Sequence, residues 1–401
     1  MIDRPSDRYR TAITEPEHFV GRDDLLARIR RSPRLFRVLL GGRRIGKTSL
    51  LRAVEWRLLQ PDLAAPRRAF PVYIDLQRSE PRSLPHFRFL LIARLRQAIS
   101  RWEQSRFPST GDAIAAYQAF TRRVAEVKVG IDFLAKIEVK LAPNGSGMAE
   151  ELSDDGFVKA LVRTFAELAQ WRFEGVCFLI DEAEYVIRHG WAGDAWPYLR
   201  SLKDTEMAVS PLLGIVLSGY RDLKEYRQQV GSPLNIAYVE WLTPLRDSES
   251  EALARGRSLR EHVQIDDADL AAVQTWAGAH PFLVQQLLNA LFDRRSEQPS
   301  TPASGVVGAL MRELNPHFSH WWNHDGRSDG FGDDERHVYR TLIEYPQSDS
   351  ATLARAATLP EGRILDALDV LVGTGVAIRV DDDRVALGAR LFERWVVQNH
   401  S

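Results

Sequence analysis

Along this chain, short runs of apolar residues alternate with longer stretches of helical spacing. Leu35-Phe36-Arg37-Val38-Leu39-Leu40 reads as a buried strand, and Ala69 to Leu76 and Val176 to Ile180 read as two more. Between them, Ser49 to Val54 is helix-like. Leu90, Leu91, Leu95 and Ile99 mark a helix within Arg88 to Trp102, and Phe157, Leu161, Phe165 and Leu168 mark another. This order predicts an α/β fold.

More chain separates the first two strands from the third than one crossover needs, so residues about 103–155 are expected to be an insertion. Within it, Val127 to Phe133 and Ile137 to Leu141 alternate apolar and polar residues, which predicts a small hairpin. Ala142 to Asp155 is small and polar, the composition of a loop. From Leu242-Thr243-Pro244-Leu245 onward the pattern turns helical. Turn-rich breaks follow at Gln298 to Pro302 and at Arg327 to Gly332. Beyond the second break, Val338, Leu342 and Ile343 mark one helix. Leu353 and Ala357 mark the next, and Ile364, Leu368, Leu371 and Val372 a third. Gly375 to Val380 and Val385 to Leu387, joined through Asp381-Asp382-Asp383-Arg384, then read as a strand, turn and strand.

Composition narrows the class. With 401 residues, 44% hydrophobic positions and ten tryptophans, the chain can bury a core in two or three domains. Its formal net charge of −1 gives no global basic field for nucleic acid or anionic lipid. The one cysteine, Cys177, lies in an apolar run and rules out a disulfide framework within the chain. Met1-Ile2-Asp3-Arg4 leads to no apolar h-region, and no stretch approaches the ~20 apolar residues of a membrane helix. A cytoplasmic protein without membrane contact is expected.

The chemistry concentrates in two places. Gly41-Gly42-Arg43-Arg44-Ile45-Gly46-Lys47-Thr48 directly follows the first strand and opens a helix, which is the Walker A pattern in its required context. Glycines let backbone N–H groups curl around phosphate oxygens, and the helix N-terminus adds partial positive charge. In this arrangement Lys47 reaches the β and γ phosphates and the Thr48 hydroxyl ligates magnesium. The expected nucleotide-binding set is thus Gly41, Gly42, Arg43, Arg44, Ile45, Gly46, Lys47, Thr48 and Ser49. Asp181-Glu182, at the end of the Val176 to Ile180 run, supplies the paired carboxylates such a loop needs. Asp181 would hold the magnesium shell and Glu182 would orient, or take a proton from, the attacking water. Taken alone, the acidic pair also reads as a strand followed by a helix N-cap. No His-Glu-x-x-His, paired-cysteine zinc spacing or Gly-x-Ser-x-Gly elbow is present.

With these motifs in place, the chain resembles the STAND class of signal-transduction ATPases and their AAA+ relatives. His18-Phe19-Val20-Gly21-Arg22-Asp23 resembles the hydrophobic-Gly-Arg-Glu segment of that class, with Asp23 where glutamate is usual. The resemblance implies that Phe19 and Val20 pack on the adenine and that Arg22 meets the nucleotide. Leu212 to Asp222 looks like the sensor-1 strand, where either Ser218 or Arg221 would stand near the γ-phosphate. Trp276 to Val284 is similar to the Gly-x-Pro element, with Ala279 in place of its glycine, and implies that Pro281 packs near base or ribose. His280 reads equally as a surface histidine at a helix start or as a nucleotide contact. The C-terminal pattern resembles the winged helix-turn-helix that ends many STAND and Orc-like ATPases.

The expectation is an ASCE/AAA+-like P-loop core over residues 1–244, a helical lid over 245–326 and a winged helix over 327–401. ATP or ADP with Mg2+ would sit between core and lid. The favoured function is a slow, regulated ATPase switch in bacterial or archaeal signalling or defence, with a separately encoded protein effector. Homo-oligomerisation is compatible with it. An Orc-like or transposition-regulator-like ATPase on DNA is one alternative, and a nucleotide-binding scaffold with little turnover is another. DNA is disfavoured by charge: Phe331 to Ser401 carries twelve Asp/Glu against eight Arg, a net of −4. Phe318, Trp321 and Trp322 read as packing residues rather than a base-stacking platform.

Overall fold

The structure, a computed structural model, describes residues 12–13, 15, 18–60, 68–106, 151–323 and 330–400. In chain order, α1 (Asp23–Arg31), β1 (Phe36–Leu40) and α2 (Lys47–Leu59) lead to β2 (Arg68–Asp75), α3 (Leu76–Ser79) and α4 (Leu84–Arg106). Next come α5 (Asp154–Ala169), β3 (Phe173–Asp181), α6 (Glu184–Arg188), α7 (Ala192–Asp204), β4 (Leu213–Gly219), α8 (Arg221–Gln228) and β5 (Tyr238–Trp241). Four helices follow: α9 (Asp247–Glu261), α10 (Asp267–Ala277), α11 (Pro281–Glu297) and α12 (Val307–Trp322). The chain then forms α13 (Asp333–Glu344), β6 (Ser348–Asp349), α14 (Ser350–Ala357) and α15 (Glu361–Thr374). It ends in β7 (Ala377–Arg379), β8 (Arg384–Leu387) and α16 (Arg390–His400).

The first five strands form a parallel sheet in the order β2-β3-β4-β1-β5. Its inner strands are buried without alternation because helices flank the sheet: β1 and β4 are buried throughout, and β3 is buried except at Glu174. The four expected strands are all present. The edge strand β5 escaped the sequence pattern, since its four residues are part-exposed and give no apolar run. The expected hairpin at 127–141 lies outside the described residues.

The chain divides into two compact units, one of Met1–Ser32, Arg37–Gln60 and Leu217–Ser401, the other of Pro33–Phe36 and Pro61–Val216. The second unit holds β2 and β3 in register, with Tyr73 opposite Leu179 and Asp75 opposite Asp181. Its α5 starts cleanly, because the Ser153 side chain accepts from the Gly156 N–H and Asp154 and Asp155 sit in the positive first turn. At its base the Lys203 ammonium donates to the carbonyls of Arg34, Ser210 and Leu213.

In the first unit, one hydrophobic core runs through α9 to α16. Phe318, Trp321 and Trp322 of α12 pack with Phe392 and Trp395 of α16 at centroid distances of 5.3 to 6.1 Å. This agrees with packing rather than base stacking. The division expected at 326/327 falls inside this shared core. Helix α16 went unforeseen, although Leu391, Phe392, Trp395 and Val396 give it a buried face. Helix α15 stops at Gly375 in the left-handed region (φ 83°), and β7 and β8 beyond it complete a small antiparallel sheet with β6, in the order β6-β8-β7.

Candidate functional site

The phosphate-loop sequence takes the backbone shape its glycines permit. Gly41 sits so close to the chain that an added Cβ would lie 2.8 Å from Ile45 Cγ2 and 2.9 Å from Leu242 Cβ. Gly46 has φ 96° and precedes α2 without a side-chain cap, so the first turn of α2 keeps its backbone donors for another acceptor. Arg44 is left-handed as well, at φ 64°. The Lys47 ammonium folds back over the loop and donates to the carbonyls of Gly41 (2.7 Å) and Gly42 (3.0 Å). Ile45 is fully buried and Thr48 partly so. Ser49 is buried, and its Oγ accepts from the Ile13 N–H at 2.8 Å.

Arg22 braces the loop from its carbonyl side. Its guanidinium donates to Ile45 O (2.5 Å), Thr243 O (3.2 Å) and Gly46 O (3.4 Å), while its backbone N–H donates to Glu249 Oε1 (2.7 Å). Burial lowers its pKa to about 10, with the Glu249 carboxylate opposing. A group that holds the carbonyl oxygens leaves the loop N–H groups to face the other way. The side chain assigned to the nucleotide by resemblance is thus placed here as a brace for the loop. Phe19 and Val20 are part-buried, and Val20 packs on the helical core.

The N–H side of the loop meets the C-terminal segment. The Gly42 N–H donates to Gly373 O at 2.7 Å, and a Cβ on Gly42 would lie 2.5 Å from Thr374 Cα. His280 joins the same point: its Nε2 lies 3.1 Å from Thr374 O, and a carbonyl can only accept, so Nε2 carries the proton. Nδ1 is therefore bare, buried and without a hydrogen-bond partner among the described residues. Burial lowers the imidazole pKa to about 3, against the Thr374 hydrogen bond and together with Arg22 and Arg44. His280 is neither a surface residue nor exposed at a helix start. It precedes Pro281, the part-buried first residue of α11. Nearby, Gly278 must be glycine, since at φ 58° a Cβ would fall 1.8 Å from Gly388 O.

The two sensor candidates behave differently. Ser218 is fully buried within β4. Arg221 reaches the C-terminal segment instead, donating to Gly330 O (3.1 Å) and pairing with the Glu335 carboxylate. Its neighbours do the same: Tyr220 Oη donates to Val370 O (2.6 Å), and Lys224 Nζ pairs with Asp369 (3.2 Å).

In the other unit, Asp181 ends β3 and is buried. Its Oδ2 accepts from Tyr73 Oη (3.0 Å) and its Oδ1 from the Glu182 N–H (3.1 Å). Glu182 is part-buried and has φ 55°, a conformation that costs a non-glycine residue about 1 kcal/mol. Such strain immediately after a buried carboxylate is a feature of functional turns.

No protein-family model matches this chain, and no curated protein matches it. Among solved structures, a Walker-type ATPase of Pyrococcus abyssi is similar over 96% of this chain and 98% of its own, at 16% identity and a TM-score of 0.56. The fold is that of a P-loop ATPase. Looser likenesses are the Orc1 protein of Aeropyrum pernix in complex with DNA (11% identity, 99% and 97% covered, TM-score 0.45) and the RuvB Holliday junction branch migration motor of Thermotoga maritima (14%, 92% and 92%, 0.37).

Within the P-loop fold, the sequence did not reveal Tyr73, Gly373, Thr374 or Glu335. Tyr73 becomes visible once β2 and β3 are paired in register. The others belong to long-range contacts for which a single sequence carries no local signal. Among the described residues no group of three His, Cys, Asp or Glu side chains is disposed to hold a metal, and no helix is long and apolar enough to cross a membrane.

Proposed function

We propose that this chain binds ATP with Mg2+ and hydrolyses it slowly, and that its nucleotide state sets the position of residues 330–400. The observation that carries this reading is the 2.7 Å hydrogen bond from the Gly42 amide, in the phosphate loop, to the Gly373 carbonyl at the end of α15. A loop built to donate N–H groups to anionic oxygen here donates to the negative end of a C-terminal helix. Nucleotide arriving at the loop would compete with that contact or reshape it, and differential contact is what couples ligand to conformation.

The roles of individual residues follow from chemistry. The loop amides and Lys47 would hold the phosphates, with Lys47 leaving the Gly41 and Gly42 carbonyls to reach them. Thr48 Oγ and the Asp181 carboxylate are hard oxygen donors of the kind magnesium takes, and an ion that keeps several waters needs few protein ligands. When bound, magnesium would withdraw charge from the phosphate oxygens. Glu182 would accept a proton from water as the water oxygen bonds to the γ-phosphorus and the β–γ bridging P–O bond breaks, releasing ADP. Tyr73, by hydrogen bonding Asp181, would fix the carboxylate's orientation. Arg221, tied to Glu335, would act as a sensor by exchanging that partner for phosphate, with Ser218 as the alternative.

In this reading residues 333–400, three helices with a strand pair and a closing helix, are a winged-helix module serving protein contacts. A separately encoded partner, a second copy of the chain, or both would read its position. Hydrogen exchange on the Glu182→Gln protein, loaded with ATP or with ADP, tests the coupling. Protection at Gly375 and Val376 and around Arg221 should differ between the two states. Identical exchange would leave a constitutive ATPase or a scaffold.

A further inference from the structure

A cleft of about 170 Å³ opens beside the phosphate loop, lined by Arg43, Arg44, Pro316, His317, His320 and Trp321. Its lining brings two guanidiniums from the loop against two imidazoles from α12 and, among the described residues, contributes no carboxylate. The guanidinium of Arg44 lies 4.4 Å over the Phe282 ring, which also packs edge-on against His317 at 5.3 Å. Arg43 Nη1 is 2.7 Å from His320 Nε2, and a guanidinium can only donate, so that imidazole nitrogen is the acceptor.

We propose that this cleft is a second anion site, separate from the backbone cradle, that takes a tetrahedral phosphate-type dianion between Arg43, Arg44, His317 and His320. A dianion would offer acceptor oxygens to both guanidiniums, and the planar Arg fork suits an oxyanion better than an imidazole nitrogen. Both histidines could then become donors, since a bound dianion favours their charged form. His317 supports this: burial, then Arg44, Arg43 and His320, lower its pKa to about 4, so the cleft repels a further cation until an anion arrives. Residues His317 and His320 lie one turn apart on α12, at i and i+3, and so can reach one ligand together. The site does not require the loop to bind nucleotide.

Calorimetric titration of the full chain tests it, with sulfate as the probe because sulfate stays a dianion across the working pH range. The starting protein is Lys47→Ala, in which the cradle has lost its cation. Sulfate should bind, and His317→Gln/His320→Gln in that background should weaken binding by at least about tenfold. Arg43→Gln alone should do likewise. Affinity in the Lys47→Ala protein should rise as pH falls from about 8 to about 6.5, because proton uptake by the imidazoles that face Arg43 and Arg44 accompanies binding. No sulfate binding to Lys47→Ala, or affinity unchanged by the histidine and arginine substitutions, would overturn the proposal. Inorganic phosphate, titrated in parallel, should bind as well, and failure to bind it also counts against the proposal. ATP affinity of the otherwise unaltered His317→Gln/His320→Gln chain, measured separately, reports on the cradle and on folding.

Discussion

Arg221, the first residue past β4 and its connecting Tyr220, forms an ion pair with Glu335 in the first turn of α13, and the two side chains are only 14% and 12% exposed. The pair therefore sits in a setting where loss of one partner leaves a charge poorly solvated. Glu335→Gln should destabilise the protein by about 1 to 3 kcal/mol, read from denaturant midpoints. Arg221→Lys should also be less stable than the unaltered chain, because an ammonium lacks the planar fork that bonds Glu335 and Gly330 O together. Midpoints equal to that of the unaltered protein would mean that the pair contributes nothing to holding the segment.

Gly42→Ala isolates steric contact from backbone strain. Gly42 is not among the residues with positive φ, so alanine suits its backbone, yet the new methyl would lie 2.5 Å from Thr374 Cα and 2.9 Å from Gly373 O. The C-terminal segment should be pushed off the loop, and amides at Gly375 and Val376 should exchange faster by about tenfold or more. Unchanged exchange would show that the seam can absorb a methyl without opening.

Much of the sheet was legible because buried parallel strands announce themselves as continuous apolar runs, as Val38-Leu39-Leu40 and Val176 to Ile180 do. The phosphate loop was legible because its glycines meet local needs, Gly46 at φ 96° above all. His280 was not. Its character comes from Thr374, 94 positions along the chain, and from burial that nothing in Ala279-His280-Pro281 foretells. The edge strand β5 was missed because Tyr238 and Trp241 are exposed at 60% and 42%, leaving no apolar signature. The shared core of α12 and α16 likewise depends on Phe392 and Trp395 meeting Phe318 across a stretch that reads as a linker.

Lys47→Ala should weaken ATP binding by at least about a hundredfold in calorimetry, since it removes the side-chain cation of the phosphate cradle. Because Lys47 presently bonds only carbonyls of its own loop among the contacts described, the fold should survive the change. A folded variant with undiminished ATP affinity would remove the basis for the nucleotide site.

Glu182→Gln should retain ATP and slow hydrolysis by about two orders of magnitude or more, as the amide keeps the shape and cannot accept the proton. The strained φ of 55° should persist, since it comes from the backbone rather than from charge. Turnover near that of the unaltered protein would assign the proton to another group.

His280 predicts a pH dependence of stability. In the folded chain its imidazole is held neutral, with pKa lowered to about 3 by burial, and Arg22 and Arg44 add to the cost of charging it. In the unfolded chain the same group takes a proton below about pH 6.5. The unfolded state thus binds more protons across this window, so stability is fully present above about pH 6.5 and falls as pH drops toward 3. The loss from this one residue should reach about 2 kcal/mol by about pH 5. Carboxylates and His317 titrate over neighbouring ranges, so the informative quantity is the difference between the unaltered protein and His280→Gln. Glutamine can still donate to the Thr374 carbonyl, but it has no proton to gain. Denaturant midpoints at pH about 7.5 and about 5 should therefore separate more widely for the unaltered protein than for His280→Gln. Equal separations would mean that the imidazole finds a way to charge in place, through a partner for Nδ1 or an opening of the seam between His280 and Thr374.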